Sequence, residues 1–113
     1  MTPIENLSNT TKRVHNIIKN DDYNEIYECM LLEEDEIILY NELKIIENII
    51  ETPLREGHLR YYLVTTLLLS TINKFLDNVK IHVNVESIRQ NRISLLRKSY
   101  KLLTMVADTT KLW

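Results

Sequence analysis

The sequence predicts an all-α fold, a compact bundle of four to five helices. Of its 113 residues, 44% are hydrophobic, which is enough to build one core and too many for a disordered chain. The chain contains one Gly and two Pro, whereas sheet-rich domains need many tight turns that depend on such residues. Apolar residues also recur three and four positions apart, which is the spacing of one helix face. We expect a single helical domain over residues 1–113, with flexible ends at residues 1–3 and 109–113.

The first predicted helix covers residues 4–19, and an acidic stretch follows it. Asp22 and Glu25 have the spacing of a capping box, which predicts that a second helix begins there. Its apolar side chains lie within residues 23–31. Four adjacent carboxylates then occupy residues 33–36, and their repulsion opposes the high helix propensity of Glu. The pattern leaves open whether the second helix bends at these residues or continues into the third.

Two further helices are predicted in the middle of the chain. The third has apolar residues at helical spacing over residues 38–50 and ends before Pro53, because the residue that precedes a Pro is disfavoured in helical backbone. The fourth covers residues 59–76 and is apolar nearly all round, which predicts a central position in the bundle. The longest uncharged run, residues 61–73, is shorter than the about 20 residues that a bilayer span needs. We therefore predict no membrane span.

Residues 79–85 alternate strictly between apolar and polar side chains, a pattern typical of a strand. A lone strand would leave its backbone groups unpaired, so it would pair with a second copy of the chain or with a strand of another protein. Alternatively, the segment is an extended connector whose Val and Ile side chains fill gaps on the bundle. We favour the connector.

The last predicted helix begins at Glu86 or Ser87, runs to about Ala107 and is basic. Two adjacent apolar stripes follow it, one formed by Ile93, Leu96, Tyr100, Leu103 and Ala107 and the other by Ile88, Leu95, Leu102 and Val106. Residues 86–113 carry a net charge of +4, whereas residues 21–51 carry −10. We expect the acidic segments to face the basic helix, either within the chain or across a dimer.

Basic and aromatic residues near the end of the chain are the candidate partner-binding residues. They are Arg89, Arg92, Arg97, Lys98, Lys101, Tyr100 and Trp113. Arg and Lys side chains suit phosphates or carboxylates, and Trp is a frequent anchor at interfaces.

No residue pattern predicts catalysis or a cofactor. The three histidines, His15, His58 and His82, lie far apart in the sequence, and the single Cys cannot build a structural zinc site. That residue, Cys29, is more typical of core filling than of a nucleophile. A single Gly excludes a phosphate-binding loop. We expect no enzyme, no cofactor, no metal and no small-molecule substrate.

A protein–protein interaction module is the function that these observations favour. The two stripes on the last helix exceed what one core contact needs, so we predict a small subunit or adaptor of a larger complex, or a homodimer. The first alternative, ranked below a protein partner, is a nucleic-acid-binding protein that uses the basic helix near residues 88–107. The second is a virus-encoded helical decoy that binds a host protein. The lone Cys and the lack of an apparent signal peptide predict an intracellular protein, cytoplasmic or nuclear.

Overall fold

The structure, a computed structural model, describes residues 3–23, 25–51 and 67–110. Within these ranges it contains four α-helices and no strand, which confirms the predicted all-α bundle. The helices are α1 (Pro3–Ile18), α2 (Glu34–Glu51), α3 (Leu69–Asn78) and α4 (Glu86–Thr110). The predicted turn at Pro53 and the first part of the predicted fourth helix, residues 59–66, lie outside the described residues.

The four helices pack around one core in a square arrangement. Helix α4 contacts both α1 and α2, and α3 contacts the same two helices from the other side. Helices α1 and α2 therefore occupy one diagonal of the bundle, and α3 and α4 occupy the other. Side-chain contacts show that α1 runs antiparallel to α4, and α2 antiparallel to α3. The outer surface of α4 thus faces away from the outer surface of α3.

Most described side chains of the two apolar stripes of α4 are buried, and Ile88 and Tyr100 are half-buried. The fully or nearly fully buried members are Ile93, Leu95, Leu96, Leu102 and Leu103. A helix that packs against two neighbours needs two adjacent stripes, and α4 has α1 and α2 as neighbours. The stripes therefore belong to the core of the chain, which removes the main reason for predicting a protein–protein interaction module.

The predicted second helix is absent, and an extended connection with one 3-10 turn, Glu28–Met30, takes its place. Side chains of α4 bind the backbone of this connection in place of helical hydrogen bonds. The Tyr27 N–H donates to Asn91 Oδ1 at 2.7 Å, and Asn91 Nδ2 donates to the Tyr27 carbonyl at 3.2 Å. Local propensity for a helix is overridden because a distant amide satisfies both polar groups of Tyr27.

The acidic run at residues 33–36 is the start of a helix and not its middle. Helix α2 begins at Glu34, so three carboxylates lie in its first turn, where the positive end of the helix dipole stabilises them. Glu36 Oε1 accepts a hydrogen bond from the Glu33 N–H at 3.3 Å, as the third residue of a capping box does. The second predicted helix therefore does not continue into the third, since residues 31–33 are not helical.

Residues 79–85 form the extended connector that the sequence favours. Val79 and Ile81 are buried against the bundle. Two carbonyl groups of the connector accept hydrogen bonds from α4, at Lys80 and Val83. In the described part of the chain, no helix is long and apolar enough to cross a membrane.

Candidate functional site

The structure places Arg92 inside the bundle. Its Nη2 lies 2.8 Å from Glu36 Oε1 and its Nε lies 3.0 Å from the same oxygen, while Nη1 donates to the Lys80 carbonyl at 2.6 Å. The Arg92 side chain is 7% exposed and that of Glu36 is 0% exposed. This pair joins α2 to α4 and offers no surface to a partner.

Arg89 and Arg97 are engaged by backbone carbonyl groups. Arg89 Nη1 donates to the Val83 carbonyl at 3.0 Å. Arg97 donates from Nε to the Tyr23 carbonyl at 3.1 Å and from Nη2 to the Ile18 carbonyl at 3.1 Å, with a further bond to the Asp21 carbonyl. Arg89 therefore fixes the connector that precedes α4, and Arg97 fixes the connection between α1 and α2.

The remaining candidates lie toward the second half of α4. Lys98 Nζ pairs with Glu47 Oε1 at 2.8 Å, and Lys101 is exposed. Tyr100 is half-buried, with its ring centroid 5.6 Å from that of His15. Trp113 lies outside the described residues. The pairing of Lys98 with Glu47 and of Arg92 with Glu36 agrees with the predicted attraction between acidic segments and the basic helix, within one chain.

Two of the grooves beside α4 lie along its second half. The first, here called the Tyr40 groove, has a volume of about 400 Å³. Its lining residues are Ile26, Tyr40, Ser94, Arg97, Lys98 and Lys101. The second, here called the His15 groove, has a volume of about 370 Å³. Its lining residues are Thr11, Lys12, His15, Asn16 and Tyr100.

Both grooves have a cationic and aromatic character that differs from the acidic composition of the chain. Among the described residues, no carboxylate lines either groove. Lys12 and His15 are exposed on α1 and share a groove with Tyr100, whereas Lys101 is exposed on α4 and lines the other groove. Cations attract phosphates, and exposed rings provide surfaces on which bases stack. The arrangement therefore suits a single-stranded or looped nucleic acid better than an acidic peptide.

The Tyr40 ring is held in place by neighbours on one side of its groove. Its hydroxyl donates to Glu28 Oε1 at 2.6 Å, which raises the pKa of Tyr40 and, together with nearby Lys44, lowers the pKa of Glu28. Lys44 Nζ also lies 5.1 Å from the ring centroid, in cation–π range. A ring fixed in this way loses little freedom when a ligand packs on it.

Several residues of the two grooves were missed by reasoning on the sequence. Lys12 and His15 repeat at helical spacing on the polar face of α1, which is a signal that was available but weak. Tyr40 and Ser94 carry no local signal, because only the packing of α2 against α4 brings them into one groove. Among the described residues, no group of three His, Cys, Asp or Glu side chains is placed to hold a metal ion.

Comparisons with known proteins identify relatives along nearly the whole chain. The model of the DALR anticodon binding domain family matches residues 7–108. The glycine–tRNA ligase beta subunit of Thermodesulfovibrio yellowstonii is 37% identical over 103 residues, which cover 90% of this chain and 15% of that protein. That of Aquifex aeolicus is 40% identical over 99 residues, or 86% of this chain and 14% of that protein. A glycine–tRNA ligase beta subunit of Neisseria gonorrhoeae is 28% identical, with 90% of this chain and 83% of that protein aligned.

These relatives correct three predictions. The prediction of a generic interaction module or adaptor is wrong, because the matching family is one of anticodon binding domains. A protein as the main partner is wrong for the same reason, since an anticodon belongs to a nucleic acid. The prediction of no enzyme is also contradicted, because the relatives are subunits of a ligase, of which this chain matches one domain.

The chain spans about 15% of the length of the first relatives that it matches. The family match, in contrast, extends from within α1 to within α4 and so includes most of all four described helices. The chain therefore belongs to the DALR anticodon binding domain family.

Proposed function

We propose that this chain binds tRNA and does so as the anticodon-binding domain of a glycine–tRNA ligase beta subunit. The observation that carries the proposal is the match of the family model to residues 7–108, supported by relatives with that name. Binding to tRNA agrees with the alternative prediction from the sequence, a nucleic-acid-binding protein that uses the basic helix near residues 88–107. The residues that contact the RNA differ from those predicted, because Arg89, Arg92 and Arg97 are bound to other groups of the same chain.

The surface that we assign to tRNA is the outer side of α4 with the two grooves beside it. Lys12 and Lys101 are exposed there and contact phosphates. The neighbouring rings of His15 and Tyr100 receive bases that are not stacked within a helix. Proteins recognise RNA sequence mainly in single-stranded loops, because the major groove of an RNA helix is too deep and narrow for side chains. The anticodon loop has this single-stranded character.

Internal pairing of the acidic residues makes RNA binding compatible with a net charge of −2. Glu36 and Glu47 face α4 and are paired with Arg92 and Lys98. Their charges are therefore partly neutralised on the side of the bundle that we assign to tRNA. The opposite corner, occupied by α3, lies away from that surface. We place the protein inside the cell, in the cytoplasm, because tRNA is charged there.

Charge reversal on opposite sides of the bundle tests this proposal. The variants are Lys12→Glu and Lys101→Glu, with Lys74→Glu on the exposed side of α3 as the matched control. Binding of a fluorescently labelled glycine tRNA transcript is measured by anisotropy. We expect each of the first two substitutions to weaken binding roughly tenfold, by loss of one phosphate contact and added repulsion, and the control to have little effect. Equal effects of all three substitutions, or no effect of any, would contradict the assigned surface.

A further inference from the structure

We infer that the Tyr40 groove binds one unstacked nucleotide of the RNA, with the base packed on Tyr40 and hydrogen-bonded to the hydroxyl of Ser94. This inference rests on the proposed function, because it assumes that RNA is the ligand. It goes further in that it names the groove, the part of the RNA that enters it, and the two side chains that hold the base.

Ser94 is the first reason for this assignment. The residue is 1% exposed, and its hydroxyl has no hydrogen-bond partner among the described residues. Ser99, also buried on α4, shows the usual solution, since its hydroxyl donates to the Leu95 carbonyl at 2.8 Å. A buried hydroxyl without a partner costs free energy, and native proteins contain few of them. Ser94 lines the groove, so an incoming base can supply the missing partner.

Tyr40 is the second reason. The ring lines the same groove and is held by the bond from its hydroxyl to Glu28. An aromatic ring beside a buried hydrogen-bonding group is the combination that proteins use to bind a base taken out of its stack. Ile26 adds an apolar contact to the lining.

Charge at the groove is the third reason. Lys98 and Lys101 line it beside Tyr40 and Ser94, so a phosphate attached to the bound nucleoside meets two ammonium groups. Lys98 also pairs with Glu47 at 2.8 Å, which neutralises part of its charge. The volume, about 400 Å³, lies within the range of about 300–1,000 Å³ that is usual for small-ligand sites. One nucleotide suits this size, and a duplex does not.

Photochemical crosslinking on the unaltered chain provides the first test. An RNA stem–loop with the glycine anticodon is prepared with photoreactive iodouridine at each loop position in turn, because this base crosslinks to aromatic rings on which it stacks. After irradiation, the modified residue is identified by mass spectrometry. We expect one loop position to crosslink to Tyr40. Crosslinks to His15 or Tyr100 alone, with the RNA bound, would overturn the inference.

Four substitutions in matched pairs provide the second test. Tyr40→Leu removes the ring, and Tyr27→Leu is its control, because Tyr27 is 50% exposed, also donates its hydroxyl to a Glu and lies outside the groove. We expect Tyr40→Leu to weaken stem–loop binding about 5- to 100-fold, the range for loss of one base stack, and Tyr27→Leu to leave it unchanged.

Ser94→Ala is compared with Ser99→Ala in the same assay. We expect about a fivefold loss of affinity from Ser94→Ala, by loss of one hydrogen bond, and none from Ser99→Ala. Thermal unfolding of each variant separates lost binding from lost folding, and the crosslink stands independently if Tyr40→Leu unfolds. If the unaltered chain binds no tRNA, the proposed function and this inference both fail. If it binds and Lys101→Glu weakens it, but Tyr40→Leu and Ser94→Ala do not, only this inference fails.

Discussion

Removal of the buried guanidinium of Arg92 should destabilise the bundle without altering the tRNA surface. Arg92→Met keeps a side chain of similar length but leaves the Glu36 carboxylate buried with no counter-charge. It also removes the bond to the Lys80 carbonyl. An uncompensated buried charge costs about 3–5 kcal/mol. For a chain of this size, whose total stability is about 5–15 kcal/mol, that is a large fraction.

Urea denaturation followed by circular dichroism measures the effect. With a denaturant slope of about 1–3 kcal/mol per molar urea, the midpoint should fall by at least ~1 M. Arg13→Met is the matched control, because Arg13 pairs with Asp77 at 3.4 Å on the surface, with side chains 47% and 66% exposed. That substitution should cost about 0–1 kcal/mol.

A second substitution separates charge burial from lost packing. Arg92→Met combined with Glu36→Leu replaces the whole ion pair by apolar side chains, and its stability should return to within about 1–2 kcal/mol of the unaltered chain. A loss below about 1 kcal/mol for Arg92→Met alone would show that Glu36 is not left as an unpaired buried charge. So would a double variant no more stable than the single one, since the cost would then not come from an unpaired charge.

Three further predictions concern the surface and the connections. Glu47→Gln should strengthen tRNA binding about two- to fivefold in the anisotropy assay, because it removes a negative charge and frees Lys98. Unchanged or weaker binding would contradict this prediction and show that the pair with Glu47 positions Lys98 for the RNA. Burial raises the pKa of Glu42 in the folded chain above its usual value of 4.5. Protonated Glu42 therefore contributes fully to the free energy of unfolding below pH 4.5, and this contribution is lost as the pH rises through the raised pKa. Glu42→Gln should therefore leave the urea midpoint unchanged near pH ~4 and raise it near pH ~7, and equal midpoints at both would contradict this. Asn91→Ala should cost about 1–3 kcal/mol and speed hydrogen exchange of the Tyr27 amide, since the Tyr27 N–H loses its partner and the Tyr27 carbonyl keeps only its bond from the Met30 N–H. Unchanged exchange would show that the Tyr27 amide is protected otherwise.

Periodicity predicted the helices whose apolar faces reach the core. Leu7, Val14 and Ile18 form the buried face of α1, and the two stripes of α4 correspond to its two neighbours. These features are local, because side chains at helical spacing must point to one side of the backbone. The alternation at residues 79–85 is typical of a strand, and the structure has the favoured alternative, an extended connector with Val79 and Ile81 buried and Val85 exposed.

The connection between α1 and α2 could not be predicted from its own residues. Its backbone is held by Asn91 and Arg97, more than sixty residues away in the sequence. The capping box proposed at Asp22 was a reasonable local signal that these distant side chains override. The start of α2 has half of a capping box, in which Glu36 at the third helical position binds the Glu33 N–H. The usual sequence pattern does not identify it, because Glu33 stands where a capping box has Ser or Thr.

The functional prediction failed because it interpreted the two apolar stripes of the last helix as a binding surface, whereas they pack against α1 and α2. The list of candidate binding residues rested on a second assumption, that basic residues on a helix are available. Arg92 and Arg97 show why the assumption is unsafe, since Arg donates to several acceptors at once and is well suited to hold carbonyl groups and carboxylates inside a fold. The cations assigned to the surface come from two helices, Lys12 on α1 and Lys101 on α4, and only packing makes these helices neighbours. A short sequence motif cannot predict a surface that two distant helices form together.

The most direct test of the central claim is the affinity of the unaltered chain for a glycine tRNA transcript, measured between about 50 and 200 mM salt. We predict binding that weakens linearly on a double-logarithmic plot, as release of counterions from several phosphates requires, and weaker binding to a stem–loop whose loop is replaced by base pairs. No detectable binding at the lowest salt, or equal affinity for the fully paired RNA, would contradict the proposal that this chain binds the anticodon loop of tRNA.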